Sequence, residues 1–252
     1  MTYSVAVAGK GGSGKTTTAA LIIRYFLKGG QIPVLAVDAD GNANLHESLG
    51  LELHTTVGAV VAGFNDDKMD LPFGMTKTAY LEMRLNQAVA EGSGVDLISM
   101  GRGENDGCYC YPNTVLKQFI DKLKPNYQCM VLDNEAGMEH LSRRTTENVD
   151  DLIIISDHSV KGVRTLGRIR SLTDELKLDI KRISAVIARA PNGCLDEQVA
   201  RELEVLGLSP ATVIPADDAV MEADLNRRSL LELPDTSAAV CAISTLMGKL
   251  AV

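Results

Sequence analysis

The sequence predicts one α/β domain: a mostly parallel β-sheet with helices on both faces. Three observations predict it. Short aliphatic and β-branched runs recur along the 252 residues. Amphipathic segments at helical spacing separate most of them. The runs are apolar throughout instead of alternating, which marks strands covered on both faces. No linker or internal repeat interrupts the pattern, so residues 1–252 read as a single domain. With no Trp and only four Phe, the core must be aliphatic.

The elements follow in order. YSVAVA (3–8) is the first buried strand. A helix follows from Thr16 to Lys28, with Ala19, Ile22, Ile23 and Phe26 on one face and Gly29–Gly30 ending it. VLAVDAD (34–40) is the second strand. Further strands are expected at 95–100, 128–133, 151–156, 183–188 and 211–215, and helices at about 113–123, 160–176, 196–206 and 236–250. The segment from Leu51 to Gly94 lacks a clear strand and is expected to form helices or loops beside the sheet edge.

Composition excludes some functions. The net charge of −8 argues against non-specific DNA binding, which needs Lys and Arg to neutralise phosphates. Arg143, Arg144, Arg164, Arg168 and Arg170 read as a solvated surface. No apolar run reaches about 18 residues, so no transmembrane helix is expected. The N-terminus lacks the basic and apolar regions of a signal peptide. A cytoplasmic protein is expected, with its five Cys mostly as reduced thiols.

Between the first strand and the first helix stands G-K-G-G-S-G-K-T, Gly9 to Thr16, which fits G-x-x-x-x-G-K-[ST] in its required context. Such a P-loop turns backbone N–H groups of Gly9, Gly11, Gly12, Ser13 and Gly14 toward phosphate oxygens at a helix N-terminus. Lys15 is the charge for the β- and γ-phosphates. Thr16 offers its hydroxyl to magnesium, and Thr17 helps hold the α-phosphate. An additional Lys10 makes the pattern K-G-G-x-G-K-[ST]. It resembles the deviant Walker A motif of the MinD/ParA/nitrogenase-iron-protein class, a SIMIBI-like group of P-loop NTPases. The resemblance implies that Lys10 reaches the partner's nucleotide across a dimer; the other reading is a solvated lysine.

Acidic residues ending parallel strands point into the ligand crevice. Asp38 and Asp40 end the second strand, and Asp133 ends QCMVLD as a Walker B aspartate. In the class this chain resembles, Asp38 supports Mg²⁺ through water and Asp40 positions the attacking water; one of them capping the next helix is the alternative. Many relatives carry Pro after the second Asp, where this chain has Gly41. Gly137 can bring its N–H to the γ-phosphate. The absence of an N-K-x-D motif favours ATP over GTP. Ala188-Arg189 stands where the class often has Asn-Lys or Asn-Arg, so Arg189 and Pro215, the latter in V-I-P-A-D, are the candidates beside adenine.

Cys108-Tyr109-Cys110 is the second informative feature. In an extended segment i and i+2 face the same way. One chain then offers two soft ligands, and a two-fold dimer offers the four of a closed site for Zn²⁺ or Ni²⁺. On the residues alone, packed or redox thiols fit as well.

Together AGKGGSGKTT, VDAD, GCYC before a helix, and LDNEAGMEHLSRRT resemble the CooC-type ATPases and their AcsF branch. The resemblance covers Val5 to about Leu231. It implies a homodimer that closes on ATP, a metal at Cys108 and Cys110 (nickel or zinc), and a nickel enzyme as client, CO dehydrogenase or acetyl-CoA synthase. Neither nucleic acid nor membrane is expected as partner: the charge is acidic, and the segment TSAAVCAISTLMGKLAV lacks the basic face of a membrane-targeting helix. Glu139 and His140 would relay nucleotide state or pair with arginines. Two rivals remain: a ParA/MinD-type positioning ATPase, and an iron–sulfur reductase like the nitrogenase iron protein. Against the second, the Cys expected after the Walker B strand is missing, since Asp133 is followed by Asn134-Glu135-Ala136.

Overall fold

A computed structural model describes residues 1–66, 71–102, 110–135 and 148–250. Strand β1 (Tyr3–Gly9) leads through the Gly-rich loop into helix α1 (Lys15–Lys28). Then come β2 (Val34–Asp38), α2 (Leu45–Leu49), α3 (Val57–Asp66), α4 (Lys77–Gln87), β3 (Ala90–Glu91) and β4 (Val95–Ser99). After α5 (Cys110–Leu123) the alternation runs β5 (Cys129–Asp133), β6 (Asn148–Asp157), α6 (Val160–Glu175), β7 (Asp179–Ala190), α7 (Glu197–Val205), β8 (Pro210–Pro215), α8 (Asp218–Leu225) and α9 (Ala238–Leu250).

The strands form one sheet in the order β3-β4-β2-β5-β1-β6-β7-β8. Every neighbouring pair is parallel except β3 with β4. Strand residues alternate between two apolar layers, as a period of two requires. Val5, Val7, Ala36, Val131 and Ile153 face α1 and α9. Ala6, Ala8, Val37, Leu132 and Ile154 face α5, α6 and α7. Phe26 is the largest fully buried side chain, and the rest of that group is aliphatic or Met. At about 25 cal/mol per Å² of apolar surface, these two layers are the main stabilising term.

The expected strands and helices all form. Three elements go beyond the expectation. Within 51–94 the chain adds an antiparallel edge strand of two residues, Ala90↔Leu97 and Glu91↔Asp96, too short to show a period in sequence. Helix α2 has five residues, too few to repeat its Leu45–Leu49 spacing, and α8 fully buries only Ala223.

Candidate functional site

The chain reverses direction across the sheet at β1. It first winds toward β2 and β4, returns to β5 beside β1, and then continues on the other side to β6. Such a switch point opens a crevice at the carboxyl ends of the strands. The loop after β1 occupies that crevice, and Asp38 lies directly opposite Asp133 in the β2–β5 register. Sequence places these acids far apart; parallel pairing sets them side by side.

The loop's shape depends on its glycines. Gly12 (φ 72°) and Gly14 (φ 95°) occupy the left-handed region, where a Cβ is strained. A Cβ on Gly9 would lie 2.2 Å from the Ile155 carbonyl oxygen, so only glycine fits where β1 passes β6. Gly14 caps α1 without any side-chain hydrogen bond, which leaves the helix's first N–H groups for an anion.

Lys15 is buried, and its Nζ donates to the Lys10 carbonyl oxygen at 3.3 Å. Burial lowers its pKa, while Asp133, Asp40 and Glu135 act to hold it charged. The Thr16 hydroxyl donates to Asp133 Oδ2 at 2.6 Å. Lys10 is exposed on the crevice rim and Thr17 is half-buried. Arg189, at the end of β7 with φ 56°, donates to the Gly12 carbonyl oxygen. That bond braces the phosphate loop. Pro215 closes β8, paired with Ala190.

The second acidic loop is tied to itself. Asp38 Oδ1 accepts from the Asp40 N–H at 3.0 Å, and Oδ2 from the Leu45 N–H at 2.9 Å. Asp40 Oδ1 in turn accepts from the Asn42 N–H at 2.8 Å. Asp38 thus has the helix-approach bonding weighed as the alternative to a ligand role, and it remains at the crevice. Burial pushes the Asp38 carboxyl up to about 6, partly offset by those two N–H groups. Burial pushes Asp133 up to about 7; the Thr16 hydroxyl and Lys15 oppose the shift, while Asp38 and Asp40 add to it.

Mg²⁺ is the resident ion that such a loop implies. Among the described residues, Asp133 Oδ1 and Ser13 Oγ are buried without a hydrogen-bond partner, and so is Ser99 Oγ, directly opposite Asp38 on β4. A buried unpaired carboxylate oxygen is costly unless a ligand completes it. The same carboxylate accepts from the Thr16 hydroxyl through Oδ2, and hard oxygens of this kind suit Mg²⁺. The residues present fit the ion. Ser99 had no signal in sequence, because only pairing with β2 brings it to the acids.

These shifts give a prediction. An Asp whose folded pKa is raised from 3.8 to about 7 binds its proton more tightly folded than unfolded. Its contribution favours the fold at low pH and is lost as pH rises from about 4 to about 7. Asp133→Asn removes that loss while keeping an acceptor for Thr16. At pH 8 the nucleotide-free variant is expected to melt ~2–10 °C above the parent, from about 1–3 kcal/mol of relieved charge burial. The gain should fade toward about pH 4, and the variant should lose the extra stabilisation that Mg²⁺·ATP gives the parent. Thermal scans at both pH values decide it; a variant no more stable at pH 8 contradicts the electrostatic account.

Cys108, Gly137, Glu139 and His140 lie outside the described residues, as do Arg143 and Arg144. Cys110 opens α5, but its side chain also lies outside the description. No group of three or more His, Cys, Asp and Glu side chains able to hold a metal is found among the described residues. No helix among them is long and apolar enough to cross a membrane.

Comparison with known proteins agrees with this geometry. Residues 4–230 match the model of the CobQ/CobB/MinD/ParA nucleotide-binding domain. An uncharacterised ATP-binding protein of Methanocaldococcus jannaschii is 38% identical, covering 98% of this chain and 97% of its own. The carbon monoxide dehydrogenase accessory protein CooC of Rhodospirillum rubrum is 28% identical, covering 87% of this chain and 86% of its own. The fold superposes on septum site-determining protein MinD of Pyrococcus horikoshii complexed with Mg-ADP, with a TM-score of 0.71 and 20% identity over 99% of this chain and 96% of that one.

Proposed function

Because the chain belongs to the CobQ/CobB/MinD/ParA family of nucleotide-binding proteins, and is a P-loop ATPase, we propose that it is a homodimeric ATP-driven metallochaperone. Its cargo is nickel, and its client is CO dehydrogenase or acetyl-CoA synthase. The observation that carries this reading is the Cys108–Cys110 pair in a chain 28% identical to CooC across nearly its whole length.

The chain's own residues divide the work. Backbone N–H groups from Gly9 to Gly14 and the N-terminus of α1 bind the phosphates. Lys15 moves from the Lys10 carbonyl to the β- and γ-phosphate oxygens. Thr17 holds the α-phosphate, while Arg189 keeps the loop in shape near the base and Pro215 flanks it. Thr16, Asp38 and Asp133 would hold Mg²⁺, which would supply neutralisation of the phosphate charge. Asp40 keeps one oxygen on the Asn42 N–H and offers the other to the attacking water. Lys10, exposed on the rim, reaches the partner's nucleotide and makes hydrolysis conditional on dimer closure. Gly137 tethers the segment after β5 to the γ-phosphate. Hydrolysis releases that tether and changes the dimer interface, where four thiolates hold the metal.

A second reading, a positioning ATPase, draws on the likeness to MinD. One observation disfavours the membrane-bound form of it. Helix α9 buries Ala239, Val240, Ile243, Leu246, Met247 and Leu250, so its apolar face is already covered by the protein. The test is elemental analysis of protein from its native host, alongside client activity after deletion. The proposal expects nickel or zinc bound to the dimer and a nickel-poor, inactive client. Metal-free protein together with a fully active client would refute it.

A further inference from the structure

Among the described residues, three buried side-chain oxygens at the crevice lack a hydrogen-bond partner: Ser13 Oγ, Asp133 Oδ1 and Ser99 Oγ. A bound phosphate and Mg²⁺ would complete two of them. Ser13 stands in the phosphate loop, and Asp133 carries the hard oxygens suited to the ion. Ser99 is left over. It closes β4 and is 1% exposed, so solvent does not satisfy it either.

The sheet decides what this hydroxyl can reach. Strand residues two apart share a face. Leu97 lies in the layer that faces α1 and α9, so Ser99 faces that side as well; Ala36 and Val131 place Asp38 and Asp133 there too. The β4–β2–β5 register sets Ser99, Asp38 and Asp133 in one row across neighbouring strands. Adjacent strands lie about 4.8 Å apart, so the Ser99 backbone is about 10 Å from that of Asp133, with Asp38 between them. On the outer side β3 pairs no further than Leu97. The strand neighbour left to Ser99 is therefore Asp38.

Asp38 can take the bond. Its Oδ1 accepts from the Asp40 N–H at 3.0 Å and its Oδ2 from the Leu45 N–H at 2.9 Å. Each carboxylate oxygen has two lone pairs, so these two bonds do not exhaust it. The two strand ends are already fastened together. The Met100 N–H donates to the Asp38 carbonyl oxygen at 2.7 Å, and Arg102 Nη2 to Asn42 Oδ1 at 2.8 Å. Rotating Ser99 about its Cα–Cβ bond turns the hydroxyl toward the carboxylate without moving either strand.

We propose that Ser99 is a positioning residue for ATP hydrolysis: with Mg²⁺·ATP bound, its hydroxyl donates to the Asp38 carboxylate and holds it while the Asp40 loop closes on the nucleotide. Both N–H groups on that carboxylate belong to the loop and the helix it enters, so movement of Asp40 loosens Asp38. A donor from β4 lies outside the loop and keeps the carboxylate aimed when the Asp40 N–H leaves. An unpaired buried hydroxyl is a cost, and pairing it only in the bound state turns that cost into a bias toward that state. The proposal rests on the reading of Asp38 as a support for Mg²⁺ and is independent of the cysteines and of any client.

The experiment compares Ser99→Ala, Ser99→Val and Ser99→Thr in the full chain. Val and Thr share a β-branched shape and differ in the hydroxyl, so their difference isolates it from packing. In steady-state phosphate release, the Ala and Val variants should show kcat ~5–50-fold below the parent with KM within about twofold, and the Thr variant kcat within ~3-fold. Without nucleotide, Ser99→Ala should melt no lower than the parent, because its hydroxyl bonds nothing there. The extra melting shift that a Mg²⁺·ATP analogue gives over Mg²⁺·ADP should shrink in the Ala and Val variants and return in the Thr variant. In an Asp38→Asn background, Ser99→Ala should slow single-turnover hydrolysis by less than about twofold further, since it acts through that carboxylate. Parental turnover in the Ala and Val variants overturns the proposal; if Asp38→Asn is slow in the same assay, the reading of Asp38 stands without it. Equal losses in Val and Thr, or a Ser99→Ala loss undiminished in Asp38→Asn, also overturn it. Parental turnover in Asp38→Asn removes Asp38 from the mechanism and the proposal with it.

Discussion

Asp40→Ala is expected to bind ATP with near-parental affinity and to hydrolyse it ~10²–10⁴-fold more slowly, the usual range for losing a group that orients or accepts from a nucleophile. The reasons are positional. Phosphate affinity comes from the loop backbone, Lys15 and Thr16; Asp133 and Glu135 still hold Lys15 charged when Asp40 is gone. Among the described residues the Asp40 carboxylate accepts only the Asn42 N–H, so its loss loosens a short loop without emptying the core. Asp38→Ala should behave differently. It removes a fully buried acceptor of two N–H groups, at 3.0 and 2.9 Å, and so should cost stability as well as turnover. Binding by fluorescent nucleotide and phosphate release under single-turnover conditions separate these cases. Unchanged turnover in Asp40→Ala would remove the residue from the mechanism.

The largest effect is expected at the cysteines. In a two-fold dimer, the Cys108→Ala/Cys110→Ala double variant deletes all four thiolates at once. Closed thiolate sites hold zinc with apparent free energies of about 10–16 kcal/mol, so specific metal binding should vanish and not merely weaken. ATP hydrolysis should persist, because Lys15, Thr16 and Asp133 are assembled by β1, α1 and β5 without α5. Nickel and zinc content after dialysis, measured beside phosphate release, tests both halves. Full metal binding in the double variant would remove the site assignment.

What sequence made legible, and what it did not, has physical causes. Strands covered on both faces appear as uninterrupted aliphatic runs, so β1, β2, β4, β5, β6, β7 and β8 could be read locally. The pair Ala90–Glu91 could not, because two residues show no period. Helix α8 hid for a similar reason: its eight residues fully bury only the small Ala223, a weak periodic signal. The phosphate loop was legible because its function constrains consecutive residues. The contacts that complete the site were not, because they join distant positions: Asp133 to Thr16, Arg189 to the Gly12 carbonyl, and Arg102 to Asn42. Arg189 shows the difference well. Its place at the end of a late strand suggested the adenine side; its bond to the Gly12 carbonyl forms only when the sheet sets β7 beside the phosphate loop.

In the proposed metallochaperone, nucleotide state and metal affinity are one coupled equilibrium. Coupling is reciprocal, so whatever ATP does to metal binding, metal must do to ATP binding. Moving such a switch from almost closed to almost open takes about 5.5 kcal/mol of differential affinity. The direct measurement is equilibrium dialysis of nickel and zinc against the nucleotide-free, ADP and ATP-analogue forms. The account predicts affinities that differ by at least ~5-fold between the ADP and ATP-analogue forms, with one metal per dimer in the tighter state. Equal affinity and equal stoichiometry in all three forms would contradict it.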